Sequence, residues 1–216
     1  TAPVVYTVDR SRDGRSFSAR RVLAIQHGQP IFTFAASFQV EEKGLEHQFE
    51  MPDAKAPEIA EPIEQLDREE FEQLPMSLQR WLDRFGPFEF RASRGVDPDD
   101  CKPKPPFKDL WFRLHGDYRD DPVMNRALLA YVSDFHLVGT AMLPHGISWK
   151  HNKLMIASLD HAMWFHREFS LDDWLLYSCD SPNTTGGRGL SRGMIYDRGG
   201  RLVASTAQEG VIRVRK

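Results

Sequence analysis

Asp120-Asp121-Pro122-Val123-Met124-Asn125-Arg126-Ala127-Leu128-Leu129-Ala130-Tyr131-Val132-Ser133-Asp134 is the stretch whose reading decides the fold. Asp120 or Asp121 can offer a side-chain oxygen to the unpaired N–H groups that open a helix. Pro122, which has no N–H to satisfy, suits the first turn. Val123, Ala127, Ala130, Tyr131 and Asp134 follow at helical steps and define one face, which is expected to be the apolar one. Strand-like runs surround this helix. Asp109 to Tyr118 alternates before it; Leu154 to Arg167, Trp174 to Asp180, Arg188 to Tyr196 and Leu202 to Arg213 come after it. One helix followed by several long strands predicts an α+β unit over 109–216, an antiparallel sheet wrapping a helix.

Two further zones precede that unit. Residues 1–40 are strand-rich, with Val4 to Val8, Ser16 to Ile25 and Ile31 to Val40 separated by turn signals such as Gly28-Gln29-Pro30. The immediate entry into a strand at Pro3 to Val8 reads as a chain that starts partway through a fold. Residues 41–108 are acidic and proline-rich at first. Pro52, Pro57 and Pro62 predict an extended linker. Phe71, Leu74, Leu78, Trp81, Leu82 and Phe85 then predict a helix near 69–85. A weak internal repeat relates 21–37 to 192–208 at a constant offset of 171. Either two hairpins resemble one another by chance, or one fold occurs twice.

The composition narrows the function classes. Of 216 residues, 41% are hydrophobic and 27% charged, as in ordinary globular proteins, and the net charge of −3 supplies no field that would gather nucleic acid or an anionic membrane. A ligand bearing phosphate would need a local basic patch. No signal peptide and no apolar run of membrane-spanning length is read, so neither membrane nor nucleic acid is expected as a partner. Cys101 and Cys179 are too few for a disulfide framework. A cytoplasmic setting is the expectation.

Three residues stand out chemically. Asp134 is a carboxylate on the face expected to be buried, near a helix C-terminus whose dipole opposes it. Burial there would tune it toward a general base. The ordinary alternative is that the helix has ended and Asp134 opens a loop. Ser158 lies in Ile156-Ala157-Ser158-Leu159-Asp160-His161, where alternation puts Ser158 and Asp160 on one side and His161 on the other. Its hydroxyl could hold a water or simply bond a neighbouring strand, and no GxSxG elbow surrounds it. Gln208, in an apolar strand, could orient a water through its amide or face solvent at an edge. His161 and His166 are five residues apart, and no HExxH pattern occurs, so no metal and no other cofactor is expected. Trp164, Phe165, Phe169 and Trp174 read as core or as the wall of an apolar tunnel. Gly186-Gly187-Arg188-Gly189 is a turn between strands, with Arg188 and Arg192 available to a phosphate.

Ser158-Leu159-Asp160-His161-Ala162-Met163-Trp164-Phe165-His166 resembles the signature of the acyl-CoA thioesterase II family, the bacterial enzyme and its peroxisomal relatives. Arg12 to Val22, Ala35 to Gln39, Ala130 to Asp134, Leu143-Pro144-His145, Trp174 to Tyr177 and Ala204 to Gly210 agree, in family order. The resemblance implies a double hot-dog fold, whose first half is expected to be incomplete because the family carries a further N-terminal segment. It also implies hydrolysis of fatty acyl-CoA by an aspartate, a hydroxyl and a glutamine, which fall on Asp134, Ser158 and Gln208. His161, Trp164, Arg188 and Arg192 become candidate acyl-CoA contacts, and a homo-oligomer formed through the sheets is expected. An enoyl-CoA hydratase, for which His161 and Asp160 would have to act together, and a non-catalytic acyl-CoA-binding module or inactive fragment are the competing classes.

Overall fold

A computed structural model describes residues 2–63, 87–94, 102–115, 121–147 and 154–214. The helix expected near 69–85 lies outside the described residues. The chain divides into two compact units, Thr1–His47 and Gln48–Lys216.

In the first unit, β1 (Val5–Asp13), β2 (Phe17–Gln26) and β3 (Gln29–Gln39) form an antiparallel meander. His27 and Gly28 join β2 to β3 with φ of 52° and 73°. Two left-handed residues in a two-residue loop match the right-handed twist of the flanking strands. The pairing sets Val22 opposite Phe34 and Val8, and Ala24 opposite Phe32 and Tyr6. Strand alternation therefore gathers Tyr6, Val8, Val22, Phe32, Phe34 and Phe38 on one face.

The second unit is built from β4 (Glu61–Pro62), β5 (Phe88–Arg94), β6 (Phe107–Leu114), the helix α1 (Pro122–Ser133), a 3-10 segment (Val138–His145), β7 (Leu154–Ser158), β8 (Ala162–Phe165), β9 (Leu175–Thr185), β10 (Arg188–Asp197) and β11 (Leu202–Val214). All its strand pairs are antiparallel, in the order β4-β5-β6-β9-β10-β11-β7, with β8 also pairing β11. Leu129 and Val132 of the helix pack against Leu110, Phe112, Leu114, Leu175, Tyr177, Ile195 and Val203 of the sheet. This is the sheet-wrapped helix of a hot-dog unit, and the fold class is α+β.

Asp121 caps the helix, its Oδ1 accepting from the Met124 N–H at 2.8 Å, with Pro122 at the first position. The buried face, however, is the opposite of the expected one. Asn125, Leu129, Val132 and Ser133 are covered, whereas Val123 is 74% and Tyr131 48% exposed and Asp134 is exposed as well. Apolar residues lie nearly all round this helix, so periodicity could not choose between its sides. Asn125 marks the covered side: its Oδ1 accepts from Leu171 N–H at 3.0 Å and its Nδ2 donates to Asp121 O at 3.0 Å. Pro122–His145 is long and apolar enough for a membrane span by composition. Here it is an α-helix followed by a 3-10 segment, and both carry core residues.

The span read as a linker is tied to the sheet at several points. Phe88–Arg94 is a strand within it. Gln48–Ala60 covers the other face of the sheet, where Trp111, Trp174, Leu176 and Tyr196 are buried with Ala60 against Met51 and Ala54. Trp111 Nε1 donates to Lys55 O at 2.7 Å, and Gln48 Nε2 donates to Gly200 O at 2.7 Å.

After the helix the chain reverses through His136, whose φ of 65° is left-handed. Lys108 Nζ donates to the His136 carbonyl, and the His136 ring lies against Phe90 with centroids 5.1 Å apart. Burial, reinforced by the Lys108 charge, holds the imidazole down to about 3. Burial lowers His161 and His166 also. Such groups are neutral in the fold and take up protons once it opens. Their contribution is therefore complete above pH 6.5 and is lost as pH falls. Thermal unfolding should show stability decreasing between pH 6.5 and 4.5, with His136 responsible for on the order of 1–2 kcal/mol. His136→Asn, which tolerates the left-handed backbone but does not titrate, should flatten this slope; an unchanged slope would contradict the assignment.

Candidate active site

Three segments distant in sequence deliver three side chains to one point. Asp134 is the residue at which α1 ends, with φ −72° and ψ −24°. Ser158 is the last residue of β7, and Gln208 lies within β11. Ser158 Oγ donates to Asp134 Oδ1 at 3.3 Å, Gln208 Nε2 donates to Ser158 Oγ at 3.0 Å, and Gln208 Nε2 also donates to Asp134 Oδ1. Asp134 and Ser158 are exposed, while Gln208 is 0% exposed beneath them. The burial expected of Asp134 is thus a property of Gln208, and the edge position considered for Gln208 does not occur.

The orientation of the Gln208 amide follows from its partners. A carboxylate only accepts, so the NH2 end must face Asp134. The carbonyl end, Oε1, is buried without a hydrogen-bond partner among the described residues. So is the hydroxyl of Ser191, which pairs directly with Gln208 across β10 and β11.

The expected single strand over 154–167 is two strands with a break at 159–161. β7 pairs with Gly210–Val214 of β11 and β8 with Ala204–Ala207, so the break falls opposite Gln208 and Glu209. Leu159 N–H donates to Glu209 O at 2.9 Å. The Asp160 carboxylate then replaces a backbone acceptor, receiving Glu209 N–H at 2.8 Å. The alternation that set His161 and Asp160 on opposite strand faces therefore has no basis here. The two have different partners instead. His161 Nε2 lies 2.9 Å from Ser133 Oγ, whose own proton goes to Ala130 O at 2.9 Å, so the imidazole is the donor.

The remaining candidates stand apart from this triangle. Trp164 is on β8 and more than half exposed. Arg188 pairs with Glu209 at 2.9 Å and Arg192 with Asp180 at 2.9 Å, so each already holds a carboxylate. Among the described residues no cluster of three or more His, Cys, Asp or Glu gathers to hold a metal. Cys179 is buried, and burial pushes its thiol up to about 12. Its cross-strand neighbour Lys108 is lowered by burial to about 8. Tyr177 and Thr206, which adjoin the site, were not singled out in the sequence. Both sit on the inward alternation of apolar strands, where a hydroxyl among Leu, Ile and Ala was the available signal.

Comparison with known proteins gives concordant matches. The family model described as acyl-CoA thioesterase matches residues 104–211, and that described as the acyl-CoA thioesterase N-terminal domain matches residues 1–39. Acyl-CoA thioesterase 2 of Haemophilus influenzae is 40% identical over 98% of this chain and 74% of its own. Human acyl-coenzyme A thioesterase 8 is 39% identical over 99% of this chain and 69% of its own. Among solved structures, the acyl-CoA thioesterase II of Mycobacterium marinum superposes with a TM-score of 0.77 at 39% identity, over 99% of this chain and 75% of its own. A hot-dog protein of unknown function from Alicyclobacillus acidocaldarius, at 18% identity over 99% of this chain and 74% of its own, superposes with a TM-score of 0.76 and speaks for the fold alone. With 40% identity across nearly its whole length, the chain belongs to the acyl-CoA thioesterase family.

Proposed function

We propose that the protein hydrolyses fatty acyl-CoA thioesters to free acid and CoA by direct attack of water. The observation that carries the reading is the hydrogen-bonded triangle of Asp134, Ser158 and Gln208, drawn from three separate elements. Asp134 Oδ1 accepts from the other two members, which leaves Oδ2 to take a proton from water. Ser158 Oγ, as both donor and acceptor, and the Gln208 amide fix where that water sits. The water oxygen bonds to the thioester carbon as its proton passes to Asp134. The carbon–sulfur bond then breaks, and the departing thiolate recovers the proton as CoA thiol.

Ser158 lacks the activation of a serine nucleophile: its contact to Asp134 is long, at 3.3 Å, its oxygen accepts from Gln208 Nε2, and no imidazole bonds it among the described residues. An acyl-serine is not needed. The exposed Trp164 is offered to the acyl chain, whereas Arg188 and Arg192, on the face of β10 away from Ser191 and Gln208, would reach a CoA phosphate only from that outer face and by exchanging a carboxylate partner for it. His161, bonded to the residue next to Asp134, borders the reacting group.

In a thiol-release assay with medium- and long-chain acyl-CoAs, Asp134→Asn should lower kcat by about 10²–10⁴-fold. Its affinity for a non-hydrolysable thioether analogue should stay within about twofold. Near-normal turnover would refute the assignment, and water addition to an enoyl-CoA without thiol release would favour a hydratase. Gln208→Leu, which keeps the buried volume but offers no donor, should lose about 10–10³-fold in kcat, as when one oriented donor is removed from a reacting centre.

A further inference from the structure

Tyr177 is fully buried on the inner side of β9, and its hydroxyl meets two elements of the site at once. It lies 2.9 Å from the carbonyl of Ser133, the last residue of α1, and 2.8 Å from Thr206 Oγ1 on β11. A carbonyl can only accept, so the phenol proton goes to Ser133 O; the Thr206 hydroxyl, 2.8 Å from the phenol oxygen and 3.5 Å from the Gly193 carbonyl, donates to the nearer of the two. The last carbonyls of a helix lack partners within it, and Tyr177 supplies one at the peptide that joins Ser133 to Asp134. Thr206 is two residues before Gln208 on the same side of the same strand. One hydroxyl therefore links the peptide that carries the proposed base to the strand that carries its amide partner.

The ring is held in place for this. Gly193 lies beneath it on β10, where a Cβ would overlap the ring and stand 2.8 Å from Thr206 Oγ1. Burial raises the phenol's ionisation well above the ordinary tyrosine range, so the donor persists throughout the working pH range. From the other side, His161 donates to Ser133 Oγ, which fixes the same residue independently.

We propose that Tyr177 is a positioning residue for the hydrolysis, its phenol setting Asp134 in register with Gln208 through Ser133 and Thr206. The role rests on the thioesterase reading, in which Asp134 is the base. A displacement of about 1 Å at a reacting group costs up to about 10²-fold in rate.

The test is a double-mutant cycle on the full chain, read by single-turnover thiol release with enzyme in excess and by binding of a thioether analogue. Tyr177→Phe should lower the rate about 10- to 100-fold with analogue affinity within about twofold. In the Asp134→Asn background the same change should cost less than about twofold, because the group it positions no longer acts as a base. Thr206→Val should reproduce the loss and Thr206→Ser should restore most of the rate. This pair carries the test if Tyr177→Phe does not fold. Full activity of Tyr177→Phe, an equal loss with and without Asp134, or a loss confined to binding would each overturn the positioning role while leaving the thioesterase reading intact. Absence of thiol release from the unaltered protein would overturn that reading and this role with it.

Discussion

The buried amide of Gln208 is the interaction around which the second unit is organised. Its Nε2 bonds both Asp134, at the end of a helix, and Ser158, at the end of an edge strand. Neither of those residues is held by burial of its own side chain. A donor under a carboxylate in a low-dielectric interior is favourable only if it is firmly aimed, because a buried polar group without a partner costs about 1–3 kcal/mol. Gln208 meets this condition with its NH2 end. Its carbonyl end and the facing Ser191 hydroxyl are buried in the same layer without hydrogen-bond partners among the described residues. Polar groups in this layer are thus arranged for direction, not for stability.

Apolar packing supplies the stability that such an arrangement needs. Leu129 and Val132 pin α1 to Leu110, Phe112, Leu175 and Ile195, each fully buried aliphatic side chain contributing about 1.5–3 kcal/mol. That packing fixes the height and tilt of the helix. It does not fix the direction of the last peptide, because dispersion and area burial are non-directional. The direction comes from hydrogen bonds to Ser133, Ser158 and Gln208, and from Lys108 on the His136 carbonyl. In this chain the amide of Gln208 lies in the core and the carboxylate of Asp134 at its rim, an arrangement that suits the oriented base proposed above.

Much of this was legible in the sequence, and the failures have identifiable causes. A cap at Asp120 or Asp121, the Pro122 start and the long hairpins were readable because capping and turn chemistry are local, and the structure selects Asp121. The choice of helix face was not. Val123, Met124, Leu128, Leu129 and Val132 leave no polar side, and Asn125, the residue that marks the covered side, looks like a surface residue until its bond to Leu171 is seen. The break between β7 and β8 was hidden because 154–167 alternates like one strand. It arises from the pairing with β11 and from Asp160 bonding the Glu209 amide, both long-range events. Phe88–Arg94 was obscured by the prolines and acids around it, and its strand character depends on pairing with β6. Pattern alone offered the residues of the triangle individually, and only the family resemblance brought them together, because hydrogen bonds across 24, 50 and 74 residues of sequence have no local signature.

Direct attack on the thioester by water held between Asp134, Ser158 and Gln208 would leave a distinct isotopic record. Rapid-quench mass spectrometry of a single turnover in H₂¹⁸O, with enzyme in excess, tests it most directly. Direct attack gives one ¹⁸O in the released fatty acid, no acyl-mass adduct on the protein at any quench time, and no ¹⁸O in the peptide containing Asp134. A covalent acyl adduct on Ser158 or Asp134, or label appearing in the Asp134 carboxylate, would contradict it.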